Sequence, residues 1–343
     1  MSAAGSPARR VPRGRALEAL ALAAGAVALL LVPPQLSESV TFNVGLLLVF
    51  AVAAMGLHLL VNWAGELSLA HSTFVGFPAF CVAALSAKWN ASPILLVPVG
   101  IAVGAGIGGI VGLAALRARG VQVALVTLAA GVAINEYFFN REWLVGPPGG
   151  TSVPTPTLFG LTFDSSKSLY VVVWVLFLLA VALMWAVHRS KVGRGLLWVK
   201  THPDAAAAAG VPIAGYRMMA YGIAGAMAGL AGAMTTVWVQ QLTPASFPQS
   251  TSFTYLLVVV LAGPGMVGGV LLASVSLFGV PLFITSSAAF FSYLGPVSLI
   301  LTLTTYKAGL NGFGRQLRDG LRERFSRGHG PATPAIPSAQ ESR

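Results

Sequence analysis

Few side chains in this sequence could do chemistry, and their spacing narrows what that chemistry is. The five histidines, His58, His71, His188, His202 and His329, include no pair at a spacing that would hold a metal. Cys81 is the sole cysteine, so neither a disulfide framework nor a thiolate metal site can form. No G-x-x-x-x-G-K-[ST] phosphate loop occurs, and no paired carboxylates or nucleophile with its base suggest an enzyme. What remains is a set of polar groups within or beside long apolar runs: His58, Glu66, Ser68, His71, Thr127, Asn135 and Glu136. An ionisable group at membrane depth costs about 2.5–3.5 kcal/mol on insertion scales, so it faces a cavity, a pathway or a partner. These seven are candidates for lining a translocation path. Structural roles stand beside that reading. Glu66 sits at a span boundary, where a carboxylate can stay solvated. His71 can hydrogen-bond carbonyls freed by an irregular helix start, and His58, mid-span, has the same choice. Glu136 lies within reach of Arg141 along a helix and can pair with it.

The elements that position these groups follow from composition. Of 343 residues, 56% are hydrophobic and 9% charged, far below the roughly one quarter that a water-facing domain carries. Lipid is therefore the solvent for most of the chain. From Met218 to Tyr306 there is no Lys, Arg, Asp, Glu or His, a run that must cross a bilayer several times, since one crossing needs ~20 residues. Apolar windows fall at 17–34, 41–62, 68–87, 92–116, 120–139, 168–188 and 215–240, followed by the block 253–306, which Gly263-Pro264-Gly265, Pro281 and Pro296 subdivide. The expected fold is all-α, a polytopic membrane bundle of about ten helices, some short or broken. Ten crossings with the N-terminus inside place 18 of the 21 Lys and Arg residues in the cytoplasm, as the excess of basic residues in cytoplasmic loops requires. Both termini are then cytoplasmic, and the net charge of +11 reads as a topology signal rather than a nucleic-acid face. The expected organisation is a basic segment 1–16 and a permease body 17–306 containing an external loop 140–167 and a cytoplasmic loop 189–217. A basic segment 307–327 and a disordered Pro/Ser/Ala-rich tail 328–343 follow.

Small residues recur at four-residue spacing in Gly104, Gly108 and Gly112 and in Gly225 and Gly229, where membrane helices approach closely. Within 189–217, Thr201 or His202 can cap a short helix that opens at Pro203 with Asp204 in its first turn, runs through Ala207, and stops at Gly210. With Arg194, Lys200 and Arg217 around it, such a helix either plugs into a motor subunit or lies on anionic headgroups through Leu196, Leu197 and Trp198.

Four stretches in colinear order resemble the branched-chain amino acid ABC permease family, specifically its LivM-type subunit. GLHLLVNWAGELSLAHSTFVGFPAF matches that pattern at Gly56, Leu57, Gly65, Leu67, Ser68, Leu69, His71, Phe74 and Gly76. A second begins at Ala124, a third runs from Gly193 through GLAGAM at 229–234, and VVVLAGPGMVGG at 258–269 is similar to a fourth. The resemblance implies a permease that pairs with a homologous second permease, two cytoplasmic ATPase subunits and an extracytoplasmic solute-binding protein, in the inner membrane of a prokaryote. It implies no cofactor, ATP being used by the partners, and a coupling role for Arg194, Pro203, Asp204, Ala207 and Gly210. Branched-chain or related amino acids are the implied cargo. Glu66, His58, Val132 and Asn135 stand where the family pattern has Gln, Asn, Glu and Arg, which leaves room for the urea and amide importers of the same architecture. An ion-coupled secondary transporter is the alternative of a different class.

Overall fold

The computed structural model describes residues 30–279 apart from 119, 148–149, 159 and 265–266. Most of the expected first span, the division of the apolar block beyond 279, and the segments 1–16, 307–327 and 328–343 lie outside the described residues. Within them the protein is a helical bundle. Helix α1 (Glu38–His58) opens on Ser37, whose hydroxyl accepts from the Val40 amide, and widens into a π turn over Leu59–Ala64. Gly65, at φ 75°, ends it in a left-handed conformation that glycine adopts without steric cost. Then come α2 (His71–Trp89), α3 (Val97–Ala115), α4 (Val121–Phe138) and α5 (Ser166–Arg189). The residues of the loop 189–217 form α6 (Lys191–Thr201) and α7 (Pro203–Ala208), then come α8 (Ile213–Val239), α9 (Thr251–Ala262) and α10 (Val267–Ser274), and a π turn over Val275–Gly279 ends the described chain.

Six segments among the described residues are long and apolar enough to cross a membrane: Glu38–Ala64, Val97–Ala115, Val121–Phe138, Ser166–Arg189, Ile213–Val239 and Pro244–Ala262. Five of them lie close to apolar windows, Pro244–Ala262 begins well ahead of the block expected from 253, and the window 68–87 has no counterpart among the six. The window 68–87 predicts a helix from Ser68, yet α2 begins at His71, because the backbone of 65–70 is held by side chains from other helices, as described below.

α1 and α8 form the centre of the bundle, with 78% and 72% of their apolar windows buried, whereas α4 and α5 lie outside at 22% and 28%. α8 packs on α3 through interlocked glycines. A Cβ on Gly104 would overlap the Gly225 carbonyl, one on Gly225 would overlap the Gly104 carbonyl, and Gly229 faces the Gly100 carbonyl in the same way. Backbone proximity replaces the hydrophobic drive that lipid cannot supply. Gly106 and Gly109, on the other face of α3, meet nothing within 4 Å. Outside the helices, Thr151–Ser152 pairs antiparallel with Gln241–Leu242, and Thr157–Leu158 with Leu161–Thr162. The Thr157 amide donates to Ser92 Oγ at 2.9 Å, so the loop after α4 is tied to the α2–α3 turn.

Candidate functional site

Two stretches of the bundle leave helical geometry and meet at the mid-length of α4. One is 65–70, between α1 and α2; the other is 247–250, between a 3₁₀ turn at Pro244–Ser246 and α9. Gly131, in the middle of α4, makes room for both: a Cβ there would press on Ala70 at 3.0 Å and on Gln249 Nε2 at 3.1 Å. A non-helical backbone leaves amides and carbonyls without partners, and lipid offers none. Side chains supply them here. The Leu69 amide donates to Thr127 Oγ1 at 3.0 Å, and the Leu69 carbonyl accepts from Gln249 Nε2 at 2.5 Å. The Ser72 amide donates to Ser252 Oγ and the Ser72 hydroxyl to the Pro248 carbonyl, each at 2.9 Å. Thr73 Oγ1 lies 3.2 Å from both the Gly131 carbonyl and Gln249 Oε1. Asn135 Nδ2 reaches the Phe247 carbonyl at 3.4 Å.

His71 opens α2 inside this cluster. Its Nε2–H donates to the Ala53 carbonyl of α1 at 2.7 Å, and Tyr255 stands edge-on to the ring at 5.5 Å between centroids. His71 and Ser68 are fully buried, and among the described residues neither His71 Nδ1 nor Ser68 Oγ has a hydrogen-bond partner. The cluster offers hydroxyls, amides and an imidazole without a carboxylate or ammonium. It is also open on one side: Leu67 is 37% exposed, Pro248 and Ser250 are exposed, and so are Val132, Ala133 and Glu136 on the neighbouring face of α4.

The remaining candidates lie elsewhere. His58 is fully buried immediately before the π turn, with Asn62 Nδ2 3.0 Å from its Nδ1 and the Trp63 ring edge-on. Glu136 is exposed near the outer end of α4. Its expected pairing with Arg141 is not formed. Asn140 caps the Glu136 carbonyl at 2.8 Å, while Arg141 lies over the Tyr137 ring at 4.7 Å. A helix that ends at Phe138 carries Arg141 off the α4 axis, out of the spacing that a continuous helix would have given.

Glu66 is a structural anchor at the far end of the break. It is 9% exposed and ion-pairs with Arg217 of α8, whose Nη2 donates to Oε2 at 2.9 Å while Nε lies 2.5 Å from Oε1. Arg217 also donates to the Ala115 and Ala118 carbonyls at the end of α3, both at 3.3 Å. Lys200 of α6 reaches the Val61 and Asn62 carbonyls at 3.1 and 2.9 Å, and partial burial there pulls its ammonium pKa below the ordinary lysine value. Cations at the last carbonyls of α1 and α3 complement the negative ends of those helix dipoles.

The short helix predicted at Pro203 is present, although its start differs. The His202 side chain makes no capping bond, and Thr201 Oγ1 donates back to Leu197 at 2.9 Å, so a Pro at the first position suffices to begin the helix. Gly210, at φ 74°, ends it, with the Val211 amide closing on the Ala206 carbonyl at 3.0 Å. Ala206 is its one buried residue; Pro203, Asp204 and Ala207 are exposed. Arg194 turns away, donating to the Arg189 carbonyl at 2.6 Å. Pro203, Asp204 and Ala207 line a cavity of about 910 Å³ together with Gly65, Glu66, Lys200 and Arg217.

Sequence reasoning did not single out Gln249, Ser252, Ser72 or Thr73. The polar run Pro248-Gln249-Ser250-Thr251-Ser252 just ahead of an apolar block was the available signal.

Compared with known proteins, residues 40–304 match a family model described as branched-chain amino acid transport system / permease component. Two curated relatives, each described as a high-affinity branched-chain amino acid transport system permease protein LivM, come from Salmonella typhimurium and Escherichia coli. The first is 28% identical over 254 residues and the second 27% over 256. These matches cover 67% and 68% of this chain and span 60% of the length of each relative. No solved structure is significantly similar to the chain.

Proposed function

This chain belongs to the permease-component family of branched-chain amino acid transport systems, and from that premise we propose that it is the membrane-spanning subunit of an ATP-binding-cassette importer for branched-chain or related amino acids. In this reading a second, homologous permease completes the pathway, two cytoplasmic ATPase subunits hydrolyse ATP, and an extracytoplasmic binding protein delivers the solute. The chain itself takes no cofactor and catalyses no reaction. It sits in the inner membrane of a prokaryote with both termini in the cytoplasm.

The observation that carries this reading is the open side of the polar cluster. Irregular backbone at spanning depth is tolerated only where it is buried in protein or lines a water-filled cavity. Leu67, Pro248 and Ser250 are exposed in the single chain, so that face belongs to a partner subunit or to the path between two. Its hydroxyl and amide lining suits a solute that is neutral overall. Hydrogen bonds lower the barrier to entry, while a fixed charge would hold one end of a zwitterion and slow its exit. The exposure of Pro203, Asp204 and Ala207 on α7 supports a contact with the ATPase there. Of the seven path candidates, Ser68, His71, Thr127 and Asn135 belong to this cluster and Glu66 to the cytoplasmic anchor.

The test is uptake in proteoliposomes holding this chain, its second permease and both ATPases, with leucine delivered by the binding protein. ATP-dependent accumulation is expected, abolished when the ATPase subunits are left out. Accumulation that persists without them under an ion gradient would identify a secondary transporter instead.

A further inference from the structure

The Glu66–Arg217 pair is separate from the polar cluster, yet only Leu67 and Ser68 separate Glu66 from Leu69, whose amide and carbonyl are both held in that cluster. We infer that Glu66 and Arg217 are a positioning pair that carries displacement of α7 into the 65–70 segment, and so sets whether the polar cluster is closed or open. This rests on the importer reading, and it assigns a role to residues that do not touch the solute.

The geometry has three parts. The first is a moving element. α7 buries Ala206 alone and leaves its other residues exposed, and its exit is stiffened by the Val211–Ala206 hydrogen bond and Pro212. A push on α7 therefore reaches the start of α8, where Arg217 is the fifth residue. The second is room to move. The cavity of about 910 Å³ separates Pro203, Asp204 and Ala207 from Glu66 and Arg217, so α7 can approach the pair without displacing packed side chains. The third is a fork that is directional. Arg217 and Glu66 side chains are only 16% and 11% exposed, and two nitrogens of the guanidinium approach the two carboxylate oxygens, one of them in a hydrogen bond, which fixes orientation as well as distance. α3 and α8 are locked to each other by their glycines, while 65–70 is tied to the flanking helices by backbone hydrogen bonds at its two ends, from the Gly65 and Glu66 amides to the Leu60 carbonyl and from the Phe74 amide to the Ala70 carbonyl, and is held by side chains at Leu69 between them. The segment that yields is the one leading to Leu69.

Lys200 bounds the same unit on the other flank. It precedes α7 and holds the last carbonyls of α1, so α7 is strung between two cations attached to the ends of different spans. Asp204 also lines the cavity. As α7 approaches, its carboxylate becomes a competitor with Glu66 for Arg217.

The test reads the link directly and then reads transport. With Cys81→Ser as background, Ser68→Cys places one thiol at a fully buried position within the cluster. Its labelling by a membrane-impermeant maleimide is followed in inside-out vesicles of the full chain. Arg217→Gln is expected to raise the labelling rate ~10-fold or more, since removing one partner strands a buried charge. The exchange of Glu66→Arg with Arg217→Glu is expected to return the rate most of the way. A rate unchanged by Arg217→Gln, or one that the exchange leaves as fast as the single variant, overturns the proposal. Arg217→Lys, which keeps the charge and loses the fork, serves where the Gln variant does not insert; an intermediate rate is expected, and the parent rate overturns the role of the fork.

In the assembled complex, Arg217→Gln is expected to keep at least ~half of ATP hydrolysis and lose ~10-fold in solute moved per ATP, on the same stranded-charge argument. Uptake and hydrolysis falling in strict proportion would make the pair a fold element only and overturn transmission. If the unmodified complex moves nothing under ATP, the importer reading falls by itself, and the labelling rates still decide whether Arg217 controls the 65–70 segment.

Discussion

Gln249→Leu tests whether the break at 65–70 depends on borrowed side chains. Leucine keeps most of the side-chain volume and removes both polar atoms. Two bonds are lost, but they are not equal. Thr73 Oγ1 retains the Gly131 carbonyl at 3.2 Å, so its loss is small. The Leu69 carbonyl, bound at 2.5 Å by Gln249, has no other side-chain donor among the bonds described, and Leu69 is only partly exposed. Leaving a buried acceptor unmet costs about 1–3 kcal/mol. Interhelical hydrogen bonds in membranes average about 0.6 kcal/mol in double-mutant cycles, with a maximum near 1.7. The partial exposure of Leu69 argues for the overlap of these ranges, so the expected destabilisation is about 1–1.5 kcal/mol. Reversible unfolding of the purified chain in mixed detergent micelles measures it. Thr127→Val removes the partner of the amide of the same residue. The two substitutions act on one peptide segment and should couple rather than add. A stability change within about 0.3 kcal/mol of zero for Gln249→Leu, or strict additivity with Thr127→Val, would refute the claim that this residue is fastened from both sides.

Three further outcomes follow from single contacts. Gly104→Leu should cost about 3 kcal/mol or more in the same unfolding assay, because it drives a side chain into the α8 backbone, whereas Gly106→Leu, on the open face of α3, should be near neutral; equal effects would contradict the α3–α8 packing. Gly65→Ala should cost about 1–2 kcal/mol through its left-handed backbone, and a near-zero change would show that 65–70 adopts another path. Ala207→Asp, on the exposed side of α7, should leave insertion and thermal stability unchanged while abolishing ATP-driven uptake; normal uptake would remove α7 from the coupling role.

The spans were legible because lipid imposes one rule on all of them: long apolar runs with few charges. The glycine stripes on α3 and α8 were legible for a related reason, since close approach in lipid requires small residues at fixed spacing. α7 could be read from Pro203 and Gly210, whose backbone preferences are local. The polar cluster could not. Gln249 and Leu69 are brought together across the fold, and a lone Gln or Ser ahead of an apolar block resembles an ordinary helix start. Glu66 was ambiguous for the same reason. A carboxylate at a span boundary is solvated or paired according to whether a distant Arg217 arrives beside it, and nothing in the local sequence decides that. The pairing expected of Glu136 with Arg141 failed because local spacing was read through a helix end.

What the two ends of the 65–70 segment share is that the backbone is held by groups that can let go one at a time. At its upper end each bond is a neutral hydroxyl or amide contact, worth little singly and replaceable by water or by a passing polar solute. At its lower end the bond is a fork between buried charges, which is strong while geometry is kept and costly to break halfway. A helix through the same residues would resist bending along its whole length, since each carbonyl is tied four residues onward. Interrupting that ladder between Glu66 and Ala70, where side chains hold Leu69, concentrates compliance where α1, α4 and α9 meet. The charge at Arg217 sits at the edge of that compliant stretch, beside the cavity that the exposed residues of α7 line.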